Sequence, residues 1–417
     1  MGCHIYRVLF EEKENEIIND DEINIINNFE NPLTLIKDFN DYSSTSNILI
    51  TPNKVTPISI NDFKKELPLE IQEYLKENNS EISNSYEGNI NNLFLLQPII
   101  LNNNYIYWGY WNKDFNLEGP GKLFLREEKI FYDGLFKNNI IYKAKIFLNE
   151  GIYYGEIKNN KINGKGKMNY SNGDFFDGNW VDKKKVGNGI FIYKDGCKYI
   201  GQFSNDKFNG DGEFIWINGF NYKGNFNNGI PEGKGIFKGN NGSIYIGDFQ
   251  KGYFHGNGKF IFGNNNINGN INNYANNALN NDNNNNNLDN NNNDDDLCEK
   301  YIGEFAFGKK EGNGVYHFIN GDKFSGVWFN DFPQGRGIYE TKKNIYKGLW
   351  KYGEILEEPV IINKIYDSND EKIPNLNFKT RNFNLDLFSL DHLNEYLKNS
   401  SQNTGIRTID GYVTIIY

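Results

Sequence analysis

From Tyr105 to Tyr352 the chain alternates bulky apolar and polar residues with a period of two, broken at intervals by Asn-Gly or Asp-Gly. Gly187 to Phe203, GNGIFIYKDGCKYIGQF, shows the pattern whole. Alternation on both sides of such a dipeptide predicts a β-hairpin. The turn dipeptides are Asn172-Gly173, Asp195-Gly196, Asn218-Gly219, Asn241-Gly242 and Asn320-Gly321. Two loop lengths are open, and they give opposite registers. A two-residue loop pairs Lys194 with Cys197 and puts Phe191 and Tyr199 on opposite faces. A three-residue loop over Lys194, Asp195 and Gly196 pairs Tyr193 with Cys197, Phe191 with Tyr199 and Gly189 with Gly201. The large rings and the glycines then share one face, so the three-residue loop is expected, its glycine at positive φ.

The phrase recurs as aromatic-x-Gly-x-bulky. It stands at Tyr107, Gly109 and Trp111, then at Tyr132, Gly134 and Phe136, and at Tyr153, Gly155 and Ile157. It continues at Phe176, Gly178 and Trp180, at Tyr199, Gly201 and Phe203, at Tyr222, Gly224 and Phe226, and at Tyr245, Gly247 and Phe249. It resumes at Tyr301, Gly303 and Phe305, at Phe324, Gly326 and Trp328, and at Tyr346, Gly348 and Trp350. A fixed period from Gly155 to Gly247 marks a repeat architecture of stacked hairpins, none of them stable alone. Each unit continues to a Gly-x-Gly pair, as at Gly187 and Gly189 or Gly210 and Gly212. After Gly134, Ala144 and Ile146 stand where glycines are expected, and the unit at Gly348 lacks the pair. Glycine weakens a strand unless something approaches closely. Paired glycines therefore predict a groove crossed by aromatic rings, whose area supplies the burial energy.

Tyr-x-Gly-x-Phe/Trp followed by Gly-x-Gly at this period resembles the MORN (membrane occupation and recognition nexus) repeat, over about Tyr105 to Tyr352. The resemblance implies a mainly β fold: an elongated, single-layer antiparallel β-meander of about ten stacked hairpins with short helical or irregular caps. It implies a non-enzymatic scaffold or adaptor that docks at a membrane or membrane skeleton, with membrane-skeleton proteins and anionic phospholipid as partners. The alternatives are a protein-binding or homodimerising module without direct lipid contact, and a regulatory subunit of an enzyme.

The flanks differ in character. Residues 1–92 form an acidic, partly helical region, with Asn61-Asp62 as a cap, Pro68 as an interruption and Leu67, Ile71, Tyr74 and Leu75 on one stripe. A helix there is expected to cover the open end of the sheet. The array runs over 93–353, its first hairpin over 93–111. Within it, 263–297 is an Asn/Asp-rich insertion expected to be a disordered hairpin tip. Residues 354–417 are expected to fold back as a cap, with a helix from Ser389 and a hairpin around Asp410-Gly411.

Charge changes the picture more than composition does. The net charge is −10, yet the repeats are basic inside an acidic chain, which points toward an anionic partner or toward a merely solvated surface. By parity, Lys165, Lys167, Lys198, Lys223 and Lys238 fall on the face away from the signature residues, among Ile190, Ile192, Ile215 and Ile244. Lys183-Lys184-Lys185 and Lys309-Lys310 read as loops between hairpins. These lysines are the candidate anionic-lipid contacts. Gly2 and Cys3 are candidate acylation positions, although Tyr6 stands where the usual motif has Ser or Thr.

Three cysteines without Cys-x-x-Cys spacing favour a reducing compartment. No apolar run suits a membrane span, and no signal peptide is recognised. A cytoplasmic chain, peripheral at a membrane, is the expectation. His4, His255, His317 and His392 show no metal-ligand spacing with Cys or carboxylates. The Gly-x-Gly pairs belong to hairpins and lack the Lys-Ser/Thr of a phosphate loop. No catalytic residue, cofactor, metal, small-molecule substrate or nucleic acid is expected.

Overall fold

The computed structural model describes residues 55–76, 85–101, 105–263, 298–356 and 359–363, together with strands at Ile406–Ile409 and Tyr412–Ile415. The acylation positions Gly2 and Cys3, most of the insertion and the helix at Ser389 lie outside the described residues. The chain divides into two compact units, Met1–Val186 and Gly187–Tyr417.

The first unit opens with β1 (Val55–Pro57), α1 (Ile60–Glu66) and α2 (Leu69–Lys76). A meander follows: β2 (Phe94–Leu95), β3 (Ile99–Leu101), β4 (Tyr105–Trp111), β5 (Leu117–Leu125), β6 (Ile130–Lys137), β7 (Ile140–Leu148), β8 (Gly151–Lys158), β9 (Lys161–Tyr170) and β10 (Phe175–Val181). From β4 to β10 each strand pairs antiparallel with the next. β11 (Lys184–Ile192) contains the unit boundary.

The second unit continues with β12 (Lys198–Ser204), β13 (Lys207–Ile215), β14 (Asn221–Asn227), β15 (Ile230–Lys238), β16 (Ile244–Gln250) and β17 (Tyr253–Ile261). Beyond the insertion come β18 (Lys300–Ala306), β19 (Lys309–His317), β20 (Lys323–Phe329), β21 (Phe332–Glu340), β22 (Asn344–Lys351), β23 (Glu354–Ile355) and β24 (Val360–Asn363). The last two both pair with β22. β25 (Ile406–Ile409) and β26 (Tyr412–Ile415) form the hairpin expected around Asp410-Gly411 and pair with each other as a separate sheet.

The register is that of the three-residue loop. Gly187 faces Phe203, Gly189 faces Gly201 and Phe191 faces Tyr199. The Tyr193 N–H donates to Cys197 O at 2.9 Å, and the Gly196 N–H donates to Tyr193 O at 2.9 Å with Gly196 at φ +95°. The Asp195 carboxylate accepts from the Cys197 N–H at 2.9 Å and secures the turn. The strands on either side of the insertion keep the same register: β17 and β18 stay in phase, Gly258 opposite Gly303, and the Phe262 N–H donates to Glu299 O at 3.0 Å.

The opposite ends of the strands close differently. Ser204 pairs with Lys207 across Asn205 and Asp206, at φ +48° and +69°. Asn159-Asn160, Asp182-Lys183 and Asn330-Asp331 repeat this double positive φ, the signature of two-residue type I′ turns. Lys184, Lys185, Lys309 and Lys310, expected in loops, therefore begin strands.

Glycine meets glycine along the array. Gly109 opposes Gly121, and Gly178 opposes Gly166. Gly224 lies between Gly212 and Gly235, and Gly326 between Gly314 and Gly337. Stacking of rings fills the face so opened. The Tyr199 ring lies across Gly201 and Gly212, so a Cβ on Gly212 would sit 2.4 Å from the phenol oxygen. Its hydroxyl donates to Gln202 O at 2.8 Å. Tyr107, Tyr153, Tyr222, Tyr245 and Tyr301 donate likewise to the carbonyl three residues on.

In the units of Tyr199, Tyr222, Tyr245 and Tyr301 the ring meets the aromatic four residues later edge-on, and it also meets the corresponding ring of the next repeat. Tyr199 lies 5.1 Å from Phe203 and 5.2 Å from Phe226; Tyr222 lies 5.0 Å from Phe226 and 4.8 Å from Phe249. Tyr245 reaches Phe305 across the insertion at 5.1 Å, and Phe324 reaches Trp350 at 5.1 Å. Such edge-on pairs add to area burial. Two units differ from expectation, because aliphatic side chains replace the ring. A Cβ on Gly134 would meet Ile141, and one on Gly348 would meet Ile355, each at 2.7 Å. Ala144 does oppose Gly134, but Ile146 opposes Tyr132 and occupies no glycine position.

The helices cover a face, not the sheet end. Phe63, Leu67, Ile71 and Leu75 form a buried cluster with Ile106, Phe124, Phe131 and Phe147 on the outer side of the first unit. These strand residues alternate with the ring face, so they point away from it. The cap is Ser59, whose side chain accepts from the Asp62 N–H at 3.1 Å, not Asn61 or Asp62. Arg126 pairs with Glu66 at 2.6 Å and Tyr74 donates to Asp133 at 2.7 Å, tying helices to strands.

Burial pushes the Tyr132 phenol up to about 12 and raises Tyr199, Tyr222, Tyr245 and Tyr301 further. The folded chain thus keeps protons that the unfolded chain loses, and stability should fall as pH rises past about 10. Phenolate absorbance should appear together with loss of β-sheet circular dichroism; smooth titration in a chain that stays folded would show that the hydroxyls reach water. A second expectation concerns close packing. Gly212→Ala should cost about 3 kcal/mol in urea unfolding, because the added methyl overlaps the Tyr199 ring. Gly335→Ala, with nothing within 4 Å and φ +79°, should cost only the backbone strain of roughly 1–2 kcal/mol.

Candidate binding surface

With the signature rings buried, the exposed lysines lie on the outer face and at the strand ends. The structure divides the candidate lysines among three environments. Lys165, Lys167 and Lys223 are exposed on the outer face, and Lys198 and Lys238 are half-buried there. Lys167 pairs with Asp177 at 3.1 Å, directly across the strands. The neighbouring Ile190, Ile192 and Ile215 are half-buried, whereas Ile244 is buried, as are Ile236, Ile261, Lys259 and Lys300.

Lys183, Lys184 and Lys309 stand exposed at the type I′ turns. Lys183 is a turn residue whose N–H donates to Ile162 O at 3.0 Å.

Lys185 and Lys310 belong to neither group. Both start strands on the ring side, in the place that Phe208 fills in β13 and Phe254 in β17. Those phenylalanines stack flat on Tyr199 and Tyr245, with centroids 3.7 and 3.8 Å apart. Lys185 instead carries its ammonium over Tyr170, Phe176 and Trp180 at 5.4–5.7 Å and donates to the Tyr170 hydroxyl at 3.0 Å. Lys310 is buried among Phe262, Tyr301, Tyr316 and Trp328, at 6.0, 5.9, 5.5 and 5.3 Å, with Asp331 at 3.8 Å. Burial holds the Lys310 ammonium below the usual lysine range, against the opposing pull of Asp331. A cation over ring faces is attracted to their π electrons. Both lysines pack against rings, Lys310 buried and Lys185 half-buried, and neither is a surface lipid contact, contrary to the expectation from sequence.

The two-residue turns also expose lysines that parity on the faces does not select: Lys137, Lys158 and Lys161. Among the described residues no group of three His, Cys, Asp or Glu side chains is placed to hold a metal. No helix among them is long and apolar enough to cross a membrane.

A family model described as MORN repeat matches residues 153–175, 176–198, 199–220, 222–244, 245–267, 301–323 and 324–343. The units at Tyr107, Tyr132 and Tyr346 lie outside those ranges. MORN repeat-containing protein 3 of Xenopus laevis is 45% identical over 38 residues, 9% of this chain and 16% of that protein. The chain therefore spans about a sixth of that relative's length. Among solved structures, the SAS-4 (dCPAP) TCP domain of Drosophila melanogaster, in complex with a proline-rich motif of Ana2 (dSTIL), is 13% identical. That match covers 48% of this chain and 84% of the other at a TM-score of 0.21.

Lys310→Phe should test the packing role of that lysine. Replacing a buried cation by the ring that β13 and β17 carry is expected to raise stability by about 1–2 kcal/mol in urea unfolding. A loss of stability would show that the cage and Asp331 hold the ammonium better than they would hold a ring.

Proposed function

We infer, from the premise that this chain carries seven MORN repeats, that it is a non-enzymatic scaffold attached at an anionic membrane surface. The observation that supports this most is the division of labour across each hairpin. The recurrent geometry of ring on glycine occupies one face, leaving lysines of successive repeats, among them Lys165, Lys167, Lys183 and Lys184, exposed to solvent. Lysines near an anionic leaflet each contribute on the order of 1 kcal/mol, so several on one rigid support act together. In this reading the chain is cytoplasmic and peripheral, and its array holds other proteins at the surface.

A second reading, attachment through a protein partner without lipid, is supported by the outer face of β20 to β24. Val327, Ile338, Leu349 and Val360 are exposed there, alongside Lys323, Arg336 and Lys347.

Sedimentation with vesicles separates the two. The full chain should sediment with phosphatidylcholine vesicles containing phosphatidylserine and remain in solution with phosphatidylcholine alone. Raising salt until the screening length drops well below about 10 Å should release it. If no binding is seen even at low salt, lipid attachment through the array is excluded and the protein-contact reading stands.

A further inference from the structure

We propose that the first unit meets an anionic bilayer edge-on, through its row of type I′ turns, and not through the outer face of its sheet. This rests on the membrane reading above and specifies the surface that carries it.

Three successive turns lie on one edge of the first unit: β6 to β7, β8 to β9 and β10 to β11. Their flanking and central residues include Lys137, Lys158, Lys161, Lys183 and Lys184, all exposed. The single acidic side chain at these tips is Asp182, which pairs with Lys161 at 3.7 Å across adjacent turns. Glu118, nearby, is occupied as acceptor for the Asn138 N–H at 3.0 Å. The edge therefore carries a clear excess of positive charge.

The opposite edge has the reverse character. Its loops expose Glu127, Glu128 and Glu150 against Lys129, and Arg126 is engaged by Glu66. A unit so polarised turns its basic edge toward an anionic surface and its acidic edge away. The outer face competes poorly, because α1 and α2 cover part of it and Lys167 is paired with Asp177.

The shape of the edge favours a bilayer over a nucleic acid. Consecutive tips are two strands apart, about 10 Å, and form a row along the edge. The same tips expose Ile140 at 58% and Val181 at 50%. Aliphatic side chains beside lysines suit the boundary between headgroups and acyl chains. Side-chain hydrogen bonds fix the β6 to β7 turn: Asn139 accepts from the Leu117 N–H at 2.7 Å and donates to Asn116 at 2.6 Å. In the second unit, the same turns set Asp206, Asp331 and Glu354 against Lys207, Lys251, Lys309 and Lys351, so the charge excess there is smaller than in the first unit.

The test uses the full chain and vesicles of phosphatidylcholine with phosphatidylserine. Changing Lys137, Lys158, Lys183 and Lys184 together to Ser should weaken binding on the order of tenfold or more and flatten its salt dependence. Changing Lys165, Lys167 and Lys223 to Ser should alter it less than about threefold. Circular dichroism and thermal midpoints check that both variants fold; should the quadruple variant fail, Lys158→Glu is read in its place. Independently, Val181→Trp should shift to bluer fluorescence on vesicles, whereas Glu150→Trp should not. If wild type binds but the edge variant binds equally well, or if Glu150→Trp shifts and Val181→Trp does not, the edge-on proposal is overturned while membrane attachment stands. If wild type does not bind, both fall.

Discussion

The structure depends on a phenol ring lying flat over a place where two neighbouring strands have no side chain. Tyr199 over Gly201 and Gly212 is the unit, and Tyr107, Tyr153, Tyr222, Tyr245 and Tyr301 repeat it over their own glycine pairs. The ring contributes area, the glycines contribute the space, and the Tyr199 hydroxyl donates to Gln202 O where the ladder shifts register between Gly201 and Phe203. A sheet normally needs a second layer to bury one of its faces. Here the rings lie down on the backbone and cover the face themselves, and in the first unit two short helices add cover on the other side.

That arrangement was legible because it leaves period-two and glycine signals together. Phe191, Tyr199, Gly189 and Gly201 could share a face in one register only, and the structure adopts it. The tie between Lys310 and the rings was also within reach. Lys310 lies two residues before Gly312 and four before Gly314, on the ring parity, in the place of Phe208 and Phe254. The Lys-Lys pair at 309–310 resembles a loop in sequence and so conceals it. The second turn type carries a weaker signal: Asn159-Asn160 and Asp182-Lys183 lack the glycine of Asn-Gly, although Asn and Asp tolerate left-handed backbone well.

Other features left no signal of that kind. The stripe of Leu67, Ile71 and Leu75 marks a helix with one apolar side, but says nothing about whether that side meets a sheet end or a sheet face. The answer lies in Ile106, Phe124, Phe131 and Phe147, apolar at positions where a solvated face would be polar. The basic edge is hidden in sequence because its lysines are scattered over 137–184 and only the fold gathers them. Net charge sums over both edges and so conceals a polarity that arises from opposite contributions.

The ring contacts run from one repeat to the next and stop there: Tyr199 touches Phe226, and Tyr222 touches Phe249. Cooperativity in such a chain is a nearest-neighbour affair. A lesion at one hairpin weakens two junctions and leaves distant ones at full strength, so damage spreads by fraying from an end or a fault and not by collapse of a common core. Under mechanical load along the array, the units would yield one after another, and a scaffold built this way could lose a terminal hairpin and still hold what is bound to the rest.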